Sequence, residues 1–154
     1  MCTYILESRG MEVACPFFSP TVRADNVPFP HPRRLPLGAV WRGLCEAPGH
    51  ECSPPSDQEL AWCNLGYAVS CPHLPSQRTS DAVRFAVLRD SKERIRIQFV
   101  FESQHQPAGH GCLEYDPLMK CWISPHPEPR TQRLAESFLA SYLEQKRPMF
   151  PTST

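Results

Sequence analysis

Two neighbouring segments, Ala82-Val-Arg-Phe-Ala-Val-Leu-Arg89 and Ile95-Arg-Ile-Gln-Phe-Val-Phe-Glu102, decide the fold of this chain. In the second, Ile95, Ile97, Phe99 and Phe101 fall on one side of an extended chain and Arg96, Gln98 and Glu102 on the other. Such period-two alternation is the pattern of a strand with one buried face. The polar break Asp90-Ser-Lys-Glu-Arg94 is short enough to close the two into an antiparallel hairpin.

Working outward, Cys112-Leu-Glu-Tyr-Asp116 and Lys120-Cys-Trp-Ile-Ser124, joined through Pro117, predict a second hairpin. Thr131 then caps a helix running to about Lys146, with Leu134, Ala135, Phe138, Leu139, Tyr142 and Leu143 as a broad apolar stripe and Pro148 beyond its end. That stripe needs a partner, and the apolar face of the sheet supplies one. The fold class is therefore α+β: a small antiparallel sheet with a C-terminal helix packed on it, over about 81–148.

Upstream the composition changes. Of 18 prolines, 11 stand at 16, 20, 28, 30, 32, 36, 48, 54, 55, 72 and 75, so regular elements in residues 1–80 must be short. The openings TYIL and MEVAC predict two short strands that pair, and PFFSPTVRADNVPFPHPRRLPLG an extended wrap that pins Phe17, Phe18, Phe29, Leu35 and Leu37 on a neighbouring surface. One helix start is clear. Ser56 with Glu59 three residues later forms a capping-box pattern after Pro54 and Pro55, and Gly66 supplies the stop, which predicts a helix over about Asp57–Leu65. It sets Leu60, Cys63 and Asn64 on one side and Trp62 on another flank. At 154 residues the chain makes one domain, 1–154, with an irregular Pro/Cys-rich lobe ahead of the sheet and helix.

Lys plus Arg and Asp plus Glu both number 16, which leaves no net charge to draw the chain toward nucleic acid. His31-Pro-Arg33-Arg34 is a small basic cluster that could meet a phosphate or a partner's carboxylate, but two arginines in a neutral chain read rather as a solvated surface or an internal pair with Asp25 or Glu residues. No stretch is long and apolar enough for a membrane span, and Glu7, Arg9 and Glu12 interrupt the amino terminus where an export signal needs an apolar core. These features predict a cytoplasmic protein. In a reducing compartment eight cysteines are not a disulfide framework, and ligation becomes their leading use.

Five of them, Cys15, Cys45, Cys52, Cys63 and Cys71, crowd into the proline-rich half, separated by 29, 6, 10 and 7 residues. The Cys-x2-Cys knuckle usual for structural zinc is missing, whereas an iron–sulfur cluster can gather single cysteines from separate loops. Cys15 and Cys71 each precede a proline, as the last cysteine of the bacterial ferredoxin run does. The four ligands are predicted to be Cys15, Cys45, Cys63 and Cys71, from a strand end, a loop, a helix end and the loop after it. Cys52 is the alternate thiolate, and His50 or His73 can replace a thiolate in a zinc site. A metal held by four thiolates contributes on the order of 10 kcal/mol of folding free energy, which would substitute for a missing core. The bland alternative is cysteines buried as small hydrophobes with no metal.

The stretches Cys15-Pro-Phe-Phe18, Pro30-His-Pro-Arg-Arg-Leu-Pro-Leu-Gly38, Ala47-Pro-Gly-His-Glu51, Cys63-Asn-Leu-Gly-Tyr-Ala68 and Asp81-Ala-Val-Arg-Phe85 resemble small uncharacterised bacterial proteins rich in cysteine, over about residues 15–90. That resemblance implies no activity. It implies only that Cys15, Cys45, Cys63 and Cys71 are the motif positions and Cys52 is incidental.

Elsewhere, His105-Gln-Pro-Ala-Gly-His110-Gly is read as a loop after the strongest strand, with two histidines that bind a metal, move a proton or merely face water. Cys112 and Cys121 are read as buried thiols near one another across the second hairpin, and Cys2 lies in or beside the first strand. No phosphate-cradling glycine loop, haem-attachment motif or zinc-protease signature is present, and no catalytic residue can be assigned. The function predicted is a metal-centre protein, most simply one holding a [4Fe–4S] cluster, with an electron-transfer or structural role beside a protein partner in a larger redox assembly. Trp41, Trp62, Phe17, Phe18 and Tyr67 lie near the ligands in sequence and either shield such a cluster or fill the core. The alternative is a zinc-stabilised or metal-free interaction module; neither reading requires a stand-alone enzyme, and an enzyme that uses the His105 and His110 loop stays open as a third.

Overall fold

A computed structural model of the chain describes residues 14–24, 35–65 and 71–146. Strands β3 (Ala82–Asp90), β4 (Ile95–Ser103), β5 (Gln106–Asp116) and β6 (Cys121–Ser124) form one antiparallel sheet in that order. Two shorter strands, β1 (Phe18–Arg23) and β2 (Trp41–Cys45), pair separately. Helices α1 (Leu60–Leu65) and α2 (Pro129–Lys146) complete an α+β architecture.

The alternation in β4 does what a half-buried strand requires. Ile95 and Ile97 are completely buried and pack with Leu139, Tyr142 and Leu143 of α2, while Arg96 faces out. Phe101 packs at the margin of a second core cluster and Phe99 meets the ring of His126 edge-on, with centroids 4.8 Å apart. The second hairpin forms with Asp116 opposite Cys121. Helix α2 begins two residues before Thr131. Pro129 takes the first helical position, where its missing N–H costs nothing, and Glu128 Oε1 caps the turn by accepting from the Thr131 N–H at 2.9 Å. Thr131 is thus a buried first-turn residue rather than the cap.

The proline-rich half is more than a wrap. Phe18, expected in extended chain, begins β1, and the strand continues past Pro20 through a register shift between Pro20 and Val22. Opposite Pro20 stands Gly43, where an added Cβ would lie 2.1 Å from the Ser19 carbonyl oxygen. The two backbones therefore approach too closely for any side chain, which accommodates a proline that reads as a strand breaker. Phe18 and Leu37 are buried in one cluster with Val83 of β3 and Leu134 of α2. A core shared with the sheet and helix thus adds to the small cluster of Ala24, Leu35 and Val40 that this half buries by itself.

Ala14 joins that arrangement by exchanging two backbone hydrogen bonds with Val83 of β3, at 2.6 and 2.8 Å. The pairing predicted between TYIL and MEVAC falls mostly on residues outside those described, as do Cys2, Asp25, Phe29, His31, Arg33, Arg34, Gly66, Tyr67 and Pro148.

Candidate metal centre

Four separate segments deliver Cys15, Cys45, Cys63 and Cys71 to one pocket. Cys15 follows the Ala14–Val83 bridge, and its N–H donates to the Cys63 carbonyl at 3.2 Å, which couples the first segment to α1. The capping box sets α1 in place: the Ser56 N–H donates to Glu59 Oε1 at 2.9 Å and the Glu59 N–H to Ser56 Oγ at 3.2 Å. The Leu60 N–H already donates to the Ser56 carbonyl, so the first turn starts where the sequence placed it although regular helix begins at Leu60. Cys45 ends β2, and Cys71 opens the segment that follows residues 66–70.

Phe17, Phe18, Trp62 and Leu74 supply apolar walls, and His73 joins the lining. The space among these groups is about 20 Å³, room for roughly one water. Among the described residues no three His, Cys, Asp or Glu side chains converge closely enough to hold a single metal ion. The thiols surround a space instead of meeting at a point.

Their electrostatics follow from that crowding. Burial pushes the Cys15 thiol up to about 12, reinforced by the neighbouring Cys45 and Cys71. Burial also raises Cys63, and Cys15, Cys45 and Cys71 add to the shift. Cys45 moves the same way, first through burial and then through Cys71, Glu46 and Glu59. Four thiolates here would repel one another, so a positive centre among them is the natural source of compensation.

A pH test of the metal-free protein follows. A thiol kept neutral in the fold but free to ionise when unfolded, at about pH 8.5, contributes stability that is complete below that pH and is lost as pH rises toward the folded value. For Cys15, with a folded value of about 12, the loss at about pH 10.5 amounts to about 3 kcal/mol. Denaturant titrations of metal-free protein at rising pH should show it, and Cys15→Ala should reduce it.

Cys52 stands apart. Its backbone is left-handed, with φ 63°, and its Sγ lies 4.0 Å from Glu46 Oε1, outside the pocket lining. His50 is likewise outside the lining but meets His73, with His73 Nδ1 2.9 Å from His50 Nε2. Glu59 Oε2 lies 3.4 Å from the other His73 nitrogen and so orients that ring. Nothing in the cysteine spacing foretold this Glu59–His73–His50 chain. Of the expected shielding aromatics, Trp41 sits in the core and donates from Nε1 to Ser141 Oγ at 3.3 Å, away from the pocket lining.

The remaining candidates are dispersed. His105 does not lie in a loop with His110: residues 106–116 are strand β5, entered through a two-residue turn whose Gln104 and His105 have φ of 53° and 64°. His110 is an exposed strand residue opposite Val100. Cys112 lies opposite Gln98 and is half-buried, whereas Cys121 is exposed opposite Asp116, so the two neither face one another nor form a buried pair. No described helix is long and apolar enough to cross a membrane. No family model, curated protein or solved structure matches the chain.

Proposed function

We propose that this protein holds an iron–sulfur cluster, most simply [4Fe–4S], through Cys15, Cys45, Cys63 and Cys71, and serves electron transfer or a structural role within a larger redox assembly. The observation that carries this reading is that four thiols from four separate segments line one pocket. A multinuclear cluster takes its ligands from around its own bulk and so suits thiols drawn from four segments. The thiols and the walls must part to admit it, because the space between them holds roughly one water. When bound, the cluster supplies one-electron exchange. Phe17, Trp62 and Leu74 would keep water from its sulfurs, a condition that tunes potential. A reducing cytoplasm, where thiols stay available for ligation, is the compartment this chemistry suits, and a protein partner would be the source or acceptor of electrons.

Protein purified without oxygen, or reconstituted with iron and sulfide, is expected to show a broad visible absorption with matching iron and sulfide content. A colourless protein carrying stoichiometric zinc would overturn the cluster. That second reading is supported by His73 in the lining and by its contact with His50, which together offer imidazole in place of thiolate. A protein free of both metals, cooperatively folded and indifferent to chelators would remove ligation altogether and leave a metal-free interaction module.

A further inference from the structure

We propose that Arg130 sets the reduction potential of the centre, an inference that rests on the cluster reading above. Arg130 belongs to the first turn of α2, far in sequence from the four pocket cysteines, yet the fold places it against Phe17, a wall of the pocket whose lining Arg130 itself does not join. Its guanidinium carbon lies 4.9 Å from the centroid of the Phe17 ring, and Phe17 both lines the pocket and follows Cys15 by two residues. Its Nη1 donates to the carbonyl of Glu46, the residue after Cys45, at 3.3 Å. The Glu46 N–H in turn donates to the Phe17 carbonyl at 2.8 Å, which closes a small framework of Arg130, Phe17 and Glu46 on the segments that carry Cys15 and Cys45.

A guanidinium remains protonated at any pH the protein meets, and stacking on an aromatic face fixes its position. Glu128 Oε2, 3.4 Å from Arg130 Nε, offsets part of the charge without forming a hydrogen bond to that buried N–H. A cluster with four thiolate ligands gains one negative charge when it accepts one electron from a reductant. A nearby cation stabilises that more negative state and raises the midpoint potential. Arg130 acts through the field and through Phe17, without touching the cluster, and is a positioning and tuning residue in that sense.

The test is a potentiometric titration with dithionite, followed by electron paramagnetic resonance, of the full chain and of Arg130→Gln and Arg130→Lys, with iron and sulfide measured on each. Arg94→Gln, which removes an exposed arginine paired with Glu114, is the control for a change in net charge alone. The expected result is a lower midpoint for Arg130→Gln, a value near the parent for Arg130→Lys, no shift for Arg94→Gln, and a smaller difference at high salt. Should Arg130→Gln not fold, Arg130→Met, which keeps the stem packed on Phe17, carries the same measurement. A parent cluster whose potential ignores Arg130, or moves equally in Arg94→Gln, overturns this proposal alone. A parent protein without iron or sulfide sinks the cluster reading and the proposal together.

Discussion

Alanine at Cys15, Cys45, Cys63 or Cys71 is expected to lower bound iron by more than about tenfold, since losing a ligand must exceed the cost of disturbing the groups that orient one. Alanine at Cys52, Cys112 or Cys121 should leave iron content unchanged. The contrast is the informative part, because all seven are free thiols and a scavenging protein would lose iron in proportion to thiol count. Cys52 is the sharpest control. It lies in the same half of the chain, but its left-handed backbone and its contact with Glu46 hold it out of the pocket lining. If Cys52→Ala removes the iron while one of the four pocket variants retains it, the ligand set is wrong. Stability should follow the metal, because a structural centre held by thiolates contributes on the order of 10 kcal/mol to folding. Alanine at a pocket cysteine should therefore melt near the temperature of the metal-free parent.

The hairpin of β3 and β4 was legible because its period-two pattern is local, with apolar Ile95 and Ile97 on the face that α2 covers. The ends of α1 were partly legible for the same reason, since Ser56 and Glu59 satisfy each other within three residues. What escaped the sequence depends on contacts distant along the chain. Strand β1 contains Pro20, and only the missing side chain of Gly43 on the opposing strand lets the two pair. The turn at Gln104 and His105 lacks the Asn-Gly signature of its type. Its Gln104 N–H donates instead to Asp81 Oδ2 at 2.8 Å, a carboxylate that also accepts from Arg78 Nε. That tether converts an expected loop into the start of β5. The pocket shows the same division. Its cysteines could be chosen from their places on short elements, whereas Arg130 and the Glu59–His73–His50 chain come to it only through tertiary folding.

The largest stability effect outside the cysteines is expected at Asn64. Its side chain is completely buried and every bond it makes is to backbone: Oδ1 accepts from the Trp41 N–H at 3.0 Å, and Nδ2 donates to the carbonyls of Trp41 and Leu60, each at 3.0 Å. Through these bonds α1 is fixed to β2, and with it Cys63, the preceding residue, relative to Cys45 at the end of that strand. Asn64→Leu keeps the bulk but leaves the Trp41 N–H and carbonyl unpaired in an apolar interior. Each orphaned group costs about 1–3 kcal/mol, so a loss of about 4 kcal/mol is expected, or about 12 °C in melting temperature for a chain of this size. Asn64→Asp keeps the acceptor, removes both donated bonds and adds a buried charge, so it should be no better tolerated than leucine. Urea titration of the metal-free proteins measures both directly. A leucine variant within about 1 kcal/mol of the parent would show that water or a shift of α1 satisfies Trp41 instead. In that case the distance between Cys45 and Cys63 would rest on the metal rather than on the fold.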